Sequence, residues 1–150
     1  MNIQFKHCAS AIVIALFGIM AVASTPSKET ISSKPEQFPP DLKGYNGAII
    51  IIESTKDWTK YAKKYFEEYY SGDVIVIPET EVFNYTDVEK YRFVIRRKQE
   101  IFYDGFNKRY FKENICTTDR KAGYQYCTDF NTSMYGKLLK TYAQAFQDAR

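Results

Sequence analysis

Two acidic and hydroxyl-bearing runs, Glu53-Ser54-Thr55 and Glu79-Thr80-Glu81, stand where this chain could carry out chemistry. Each closes an apolar β-branched run, Ala48-Ile49-Ile50-Ile51-Ile52 and Val74-Ile75-Val76-Ile77, of the kind that forms strands buried on both faces. Open α/β sheets present ligands beyond the carboxyl ends of such strands. Adjacent parallel strands would therefore bring Glu53 near Glu79 or Glu81. A carboxylate pair at roughly 5–10 Å can divide general acid and base duties, as in glycoside hydrolysis, or hold a hard cation through oxygen. Ser54 and Thr55, ahead of a helix, could offer backbone N–H groups to an anion. The plainer role of all these residues is to end strands and cap the next helix.

A second concentration is basic and aromatic. Arg96-Arg97-Lys98 stands on one expected strand, with Lys108, Arg109 and Lys112 on the next, and tyrosines lie between. Tyr91, Arg92, Arg96, Tyr103, Arg109 and Tyr110 would give a surface that stacks and ion-pairs with a protein or a glycan. Basic residues on a solvated strand also guard a sheet against edge-to-edge association, with no ligand involved.

Missing residues remove several reaction classes. Residues 1–23 have the form of a secretory signal peptide: Lys6, then Ala11 through Met20 as an apolar core, then Ala21-Val22-Ala23 as a cleavage site. That core is too short to span a bilayer, which takes about 20 residues, and no cysteine follows it to carry a lipid anchor. Cleavage would remove the only histidine, His7, together with Cys8. A mature chain without histidine has no Ser-His-Asp triad, no Cys-His pair and no histidine metal ligand. Neither a P-loop, nor a GxGxxG turn, nor an EF-hand loop occurs. No metal and no cofactor is expected. The formal charge of +3 falls to +2 on loss of Lys6, too balanced for the basic face of a nucleic-acid binder. The expected location is secreted or periplasmic, with no transmembrane segment after cleavage.

Cys116 and Cys127 remain, an even number in an exported chain, which favours a disulfide. Arg120 to Gly123 reads as a four-residue hairpin loop. That register sets 119 opposite 124 and 116 opposite 127, the directly opposed geometry a disulfide needs. Without histidine, a metal site has too few soft ligands.

The elements that must position these groups follow from periodicity. Residues 24–43 hold four of the five prolines and have the composition of a disordered linker. The single domain is expected over 44–150. Between the two apolar strands, Trp58, Tyr61, Ala62, Tyr65, Phe66 and Tyr69 recur at helical spacing, capped by Ser54 or Asp57 and stopped at Gly72. Strand, helix and strand make a parallel βαβ unit. From Tyr91 to Tyr103 the pattern alternates, with Tyr91, Phe93 and Ile95 on one face and Arg92 and Arg96 on a wet one. Asp104-Gly105 predicts a two-residue hairpin pairing Tyr103 with Phe106 and Glu100 with Arg109. Strands from Phe106 to Thr117 and from Tyr124 to Phe130 follow. A last helix from about Ser133 carries Tyr135, Leu138, Leu139, Tyr142 and Phe146 on one stripe. Sequons at Asn84 and Asn131 would matter only in a eukaryotic secretory route.

The expected fold class is α+β (mixed α/β): one βαβ unit, a three-strand antiparallel meander and a C-terminal helix, giving a single mixed sheet with two covering helices. The expected function is a small exported, disulfide-stapled, non-enzymatic binding module for a protein or glycan. The competing reading is a carboxylate-dependent hydrolase or metal enzyme using Glu53 with Glu79 or Glu81. A third possibility is an inhibitor or immunity-type protein, which the compact, disulfide-stapled form also suits.

Overall fold

The computed structural model describes residues 37–128 and 135–150. The expected signal peptide, most of the expected linker, the Asn131 sequon and the expected strand end at Phe130 lie outside the described residues. The elements run β1 (Ile49–Ile52), α1 (Lys56–Tyr69), β2 (Val74–Ile77), a 3₁₀ turn (Glu79–Asn84), β3 (Phe93–Tyr103), β4 (Arg109–Asp119), β5 (Tyr124–Cys127) and α2 (Tyr135–Asp148). They form one five-stranded mixed sheet in the order β2-β1-β3-β4-β5. This is the expected α+β architecture.

β1 sits between two parallel neighbours, Ile49 opposite Val74 on β2 and Ile50 opposite Val94 on β3. All four of its isoleucines are buried, as a run without polar alternation demands. Ile49 and Ile51 face a large core shared with Trp58, Phe66, Leu138 and Phe146, so α1 and α2 cover the same face of the sheet. Phe146 is its aromatic centre, meeting Phe38, Phe66, Tyr70 and Phe93 edge-on at centroid distances of 5.8–5.9 Å. Ile50, Ile52, Ile77 and Val94 form a second cluster on the opposite face. Neither α1 nor α2 covers that face. The chain between β2 and β3 does, through Val82, Tyr85 and Tyr91.

Local sequence explains the helix ends. Thr55 is the N-cap of α1, its Oγ1 accepting from the Trp58 N–H at 3.4 Å. This corrects the choice of Ser54 or Asp57: the Ser54 N–H instead donates to Thr59 Oγ1 (3.1 Å). Trp58 Nε1 donates to the Ile52 carbonyl (3.0 Å), which gives the buried indole its partner and ties the helix to the end of β1. On α2, Leu138, Leu139, Tyr142 and Phe146 are fully buried, as their spacing predicts. The Tyr142 hydroxyl shares a 2.7 Å hydrogen bond with Thr117 Oγ1.

The cysteine hairpin takes the expected register. Asp119 opposes Tyr124, Cys116 opposes Cys127, and the two cysteines are bonded. Gly123, at φ +66°, supplies the left-handed residue that closes the loop.

Three further expectations need correction. The hairpin after Asp104 pairs Tyr103 with Arg109 and Glu100 with Lys112, three residues out of the expected register. Asn107, not Gly105, takes the left-handed conformation (φ 58°). Asp104 Oδ1 accepts from the N–H groups of Phe106 and Lys108, both at 2.9 Å. The Asp104 N–H donates to the Lys108 carbonyl (3.1 Å). A type I turn followed by a left-handed residue gives a three-residue loop, so a side-chain bond outvoted the Asp-Gly dipeptide.

Next, β3 has no single wet face at its start: Val94 is buried on one side as Phe93 and Ile95 are on the other. Tyr91 packs with Tyr85 in the second cluster, not alongside Phe93. Finally, the described end of the expected linker, 37–43, is packed. Phe38 and Leu42 are buried in the main core, and the neighbouring Gly44 N–H donates to the Arg150 carbonyl (2.7 Å). Two apolar residues four apart were enough to anchor a stretch whose overall composition is that of a tether.

Candidate functional site

The longest pairing among the described residues is β3 with β4, eleven opposed residues from Phe93–Asp119 to Tyr103–Arg109. Its neighbours are short. β1 pairs with β3 only at Val94 and Ile95, and β5 pairs with β4 only from Cys116 to Asp119. Thr128 extends that side by one step, its N–H donating to the Ile115 carbonyl (2.9 Å). Beyond these points the described residues of β3 and β4 run on as a two-stranded arm.

Side chains alternate across a strand, so the arm's two faces can be assigned. Ile101, Tyr103 and Phe111 share the face that carries Phe93 and Ile95 at the base. Phe102 and Tyr110, directly opposed, share the other. All five are exposed, and Phe106 at the tip is 93 % exposed. Apolar surface therefore wraps the arm on both faces and its end.

Its charges are arranged in layers. At the base, Arg97 and Glu113 form a 2.5 Å ion pair that is mostly shielded from solvent, and Gln99 Nε2 joins Glu113 at 2.7 Å. Arg97 Nε and Glu113 Oε2 have no hydrogen-bond partner among the described residues. The hollow beside them, lined also by Trp58, Asn114 and Leu138, is too tightly filled to admit a water molecule. In the middle, Lys98 pairs with Glu100 (2.9 Å), which holds the Glu100 carboxyl below its ordinary range. Near the tip, Lys108 Nζ lies 5.6 Å from the Tyr110 ring centre, and the Arg109 guanidinium 4.5 Å from that of Phe111. Asp104 accepts from two loop N–H groups and from the Tyr110 hydroxyl (3.0 Å). These donors, the Lys108 N–H first among them, keep its carboxyl ionised below the usual range. The same hydrogen bond pushes the Tyr110 hydroxyl up.

The six basic and aromatic residues expected to act together are not brought together. Tyr103, Arg109 and Tyr110 lie on the arm. Arg92 lies eleven residues back along the chain, about 35 Å at strand rise. There it is occupied structurally: Nε and Nη2 bond Asp119 at 2.9 and 2.6 Å, and Nη2 reaches Asp41 at 3.3 Å. Asp119 is only 1 % exposed at its side chain. Burial alone would raise its carboxyl, but Arg92 and the Ala122 and Lys121 N–H groups more than offset this and hold it below the ordinary value. Arg96 Nη1 is bound to Glu79 at 2.7 Å, and Tyr91 is edge-on to Tyr85 at 5.0 Å.

The carboxylates do share one end of the sheet, since Glu53 and Glu79 follow paired strands and the Glu53 N–H continues the ladder to the Ile77 carbonyl (2.9 Å). Glu79 is spent on Arg96, while Glu53 and Glu81 point from exposed positions. Among the described residues no group of three or more potential ligands could hold a metal. The anion reading of Ser54 and Thr55 weakens for a similar reason, because the Ser54 and Trp58 N–H groups bond hydroxyls of the same turn.

Sequence reasoning missed Ile101, Phe102, Phe106 and Phe111. The available signal was that Ile101-Phe102-Tyr103 and Tyr110-Phe111 are apolar at consecutive positions, which puts apolar groups on both faces. Searches against protein-family models, curated proteins and solved structures returned no match.

Proposed function

We propose that this protein is a non-enzymatic binding module whose contact element is the distal β3–β4 arm. Supporting this is one observation above all: six large apolar side chains, Ile101 through Phe111, are exposed on a projecting ribbon while the apolar residues of the sheet's centre are buried. Exposed apolar surface of that extent ordinarily marks an interaction site. The arm needs no cleft, and Glu79 of the carboxylate edge is already bonded to Arg96. Export, to the cell exterior or the periplasm, fits with the disulfide and forms part of the same proposal. A protein or a glycan is the partner class that tyrosine-rich, cation-bearing surfaces commonly serve, with Tyr103, Arg109 and Tyr110 retained from the sequence-derived set.

The test compares wild type with a Phe102→Ser/Tyr110→Ser variant, immobilised and exposed to an envelope extract of the cells that produce the protein. Bound proteins, glycans and lipids are each quantified. Specific retention should fall more than about tenfold in the variant, with far-UV circular dichroism unchanged. Undiminished retention by a folded variant would remove the arm from the function.

A further inference from the structure

We infer that the arm inserts its tip into the interfacial layer of an anionic lipid bilayer, holding the protein at a membrane surface. The inference rests on the reading of the arm as the contact element and names what it contacts.

The distribution of apolar groups carries the argument. A protein partner with a flat epitope covers one face of a two-stranded ribbon and leaves the other in water. Here Ile101, Tyr103 and Phe111 occupy one face, Phe102 and Tyr110 the other, and Phe106 the end, all exposed. A medium that surrounds the arm covers all of these at once. A glycan is also a poor fit, because sugar hydroxyls require hydrogen-bonding partners and four of these six side chains are Phe or Ile, which have none.

Charge follows the same axis. Lys108 and Arg109 flank the tip, laid over the Tyr110 and Phe111 rings, where they can reach lipid phosphates while the rings sit at headgroup depth. Amphipathic aromatic groups favour that depth, and basic residues beside an apolar surface add attraction to anionic lipid. The acids nearby are already engaged: Glu100 by Lys98, and Asp104 by three donors.

The tip is also built to leave bulk water. The Phe106, Asn107 and Lys108 N–H groups all bond Asp104, and the Asp104 N–H bonds the Lys108 carbonyl. Each of these internal bonds lowers the cost of taking the turn into a layer of lower dielectric. The ribbon's edges set the depth limit. Because Asp104–Lys108 and Arg92–Arg120 are bonded pairs, even-numbered residues of β3 bond toward β4 and odd-numbered ones point outward. The N–H and carbonyl groups of Gln99 and Ile101 thus need water, so insertion stops within the interface. The apolar end spans about 15 Å at strand rise, enough to cross a headgroup layer and not a bilayer. No helix among the described residues is long and apolar enough to span one.

The experiment uses the protein as isolated from producing cells, carrying Phe106→Trp as a reporter against the buried Trp58. It is mixed with phosphatidylglycerol vesicles and, separately, phosphatidylcholine vesicles. With phosphatidylglycerol the tip emission should shift to the blue and be quenched by brominated acyl chains, with a weaker response on phosphatidylcholine. In the parent protein, Phe102→Ser should lower the partition coefficient about 10- to 100-fold. Lys108→Ala and Arg109→Ala should each lower it about fivefold and flatten its salt dependence. An unshifted tip tryptophan, or vesicle binding indifferent to all three substitutions, overturns the inference. A tip already shielded without lipid, in a dimer that Phe102→Ser dissociates, would assign the arm to a second copy and overturn it too. In that case the binding-module reading stands. If the arm substitutions alter no binding of any kind, both fall.

Discussion

β3 begins and ends in opposite environments. Phe93 and Ile95 are 0 % exposed, and Val94 between them is buried on the other face. Six residues on, Ile101, Phe102 and Tyr103 are equally apolar and stand in solvent, Tyr103 at 66 %. The difference lies in the neighbours. At the base, β1 adds a parallel strand, two helices cover one face and the 78–91 connection covers the other. At the distal end only β4, among the described residues, accompanies the strand. A lone two-stranded ribbon is marginal in water, so the register there depends on the rigid base. One strand thus supplies core residues at one end and exposed apolar surface at the other, separated by a few residues.

That contrast can be broken by substitution. The largest effect is expected at the base: Phe93→Ala should cost about 3–5 kcal/mol, whereas Phe102→Ala on the arm should stay within about 0.5 kcal/mol. Denaturant unfolding measures both. A comparable loss at the two positions would show that the arm is packed in solution.

Next in size is the staple at the foot of β4. Replacing Cys116 and Cys127 with serine should lower stability by about 3 kcal/mol, the entropy of closing a loop of this length. Arm-dependent binding should persist wherever the variant remains folded.

A smaller effect, confined to acid, concerns the buried Asp119–Arg92 pair. The folded carboxyl titrates below its unfolded value of about 3.9. Its contribution is therefore complete above that value and is lost as pH falls through the folded one. Wild type should weaken below about pH 4, and Asp119→Asn, less stable at neutrality, should show a flatter acid limb. A parallel pair of stability–pH curves would contradict this.

The smallest expected change is Asp104→Ala. It frees the Phe106 and Lys108 N–H groups, so their amide exchange should quicken by about tenfold, with global stability altered by no more than about 0.5 kcal/mol. If amides at Phe93 to Ile95 also quicken, base and arm unfold as one unit and the distinction drawn here is lost.

Much of the architecture was legible in the chain. Four consecutive isoleucines in β1 allow only a doubly covered strand, and helical spacing identified both helices and their buried stripes. The cysteine hairpin followed from counting residues across a four-residue loop. The hairpin at Asp104 was misread because Asp-Gly has two uses, and the choice was made by which N–H groups the Asp104 carboxylate could reach. The candidate site was less legible. Arg92, Arg96 and Arg109 look alike in sequence, yet two of them meet Asp119 and Glu79, partners 27 and 17 residues away.

By itself, then, the sequence determined the main strands and helices, the parallel β1–β2 pair and the disulfide, since each depends on residue type and short-range spacing. Tertiary structure decided which apolar residues are core and which are surface, and which cations are spent on internal carboxylates. Burial is a property of what the rest of the chain brings alongside a strand, and β1, the helices and the 78–91 connection reach only its first half.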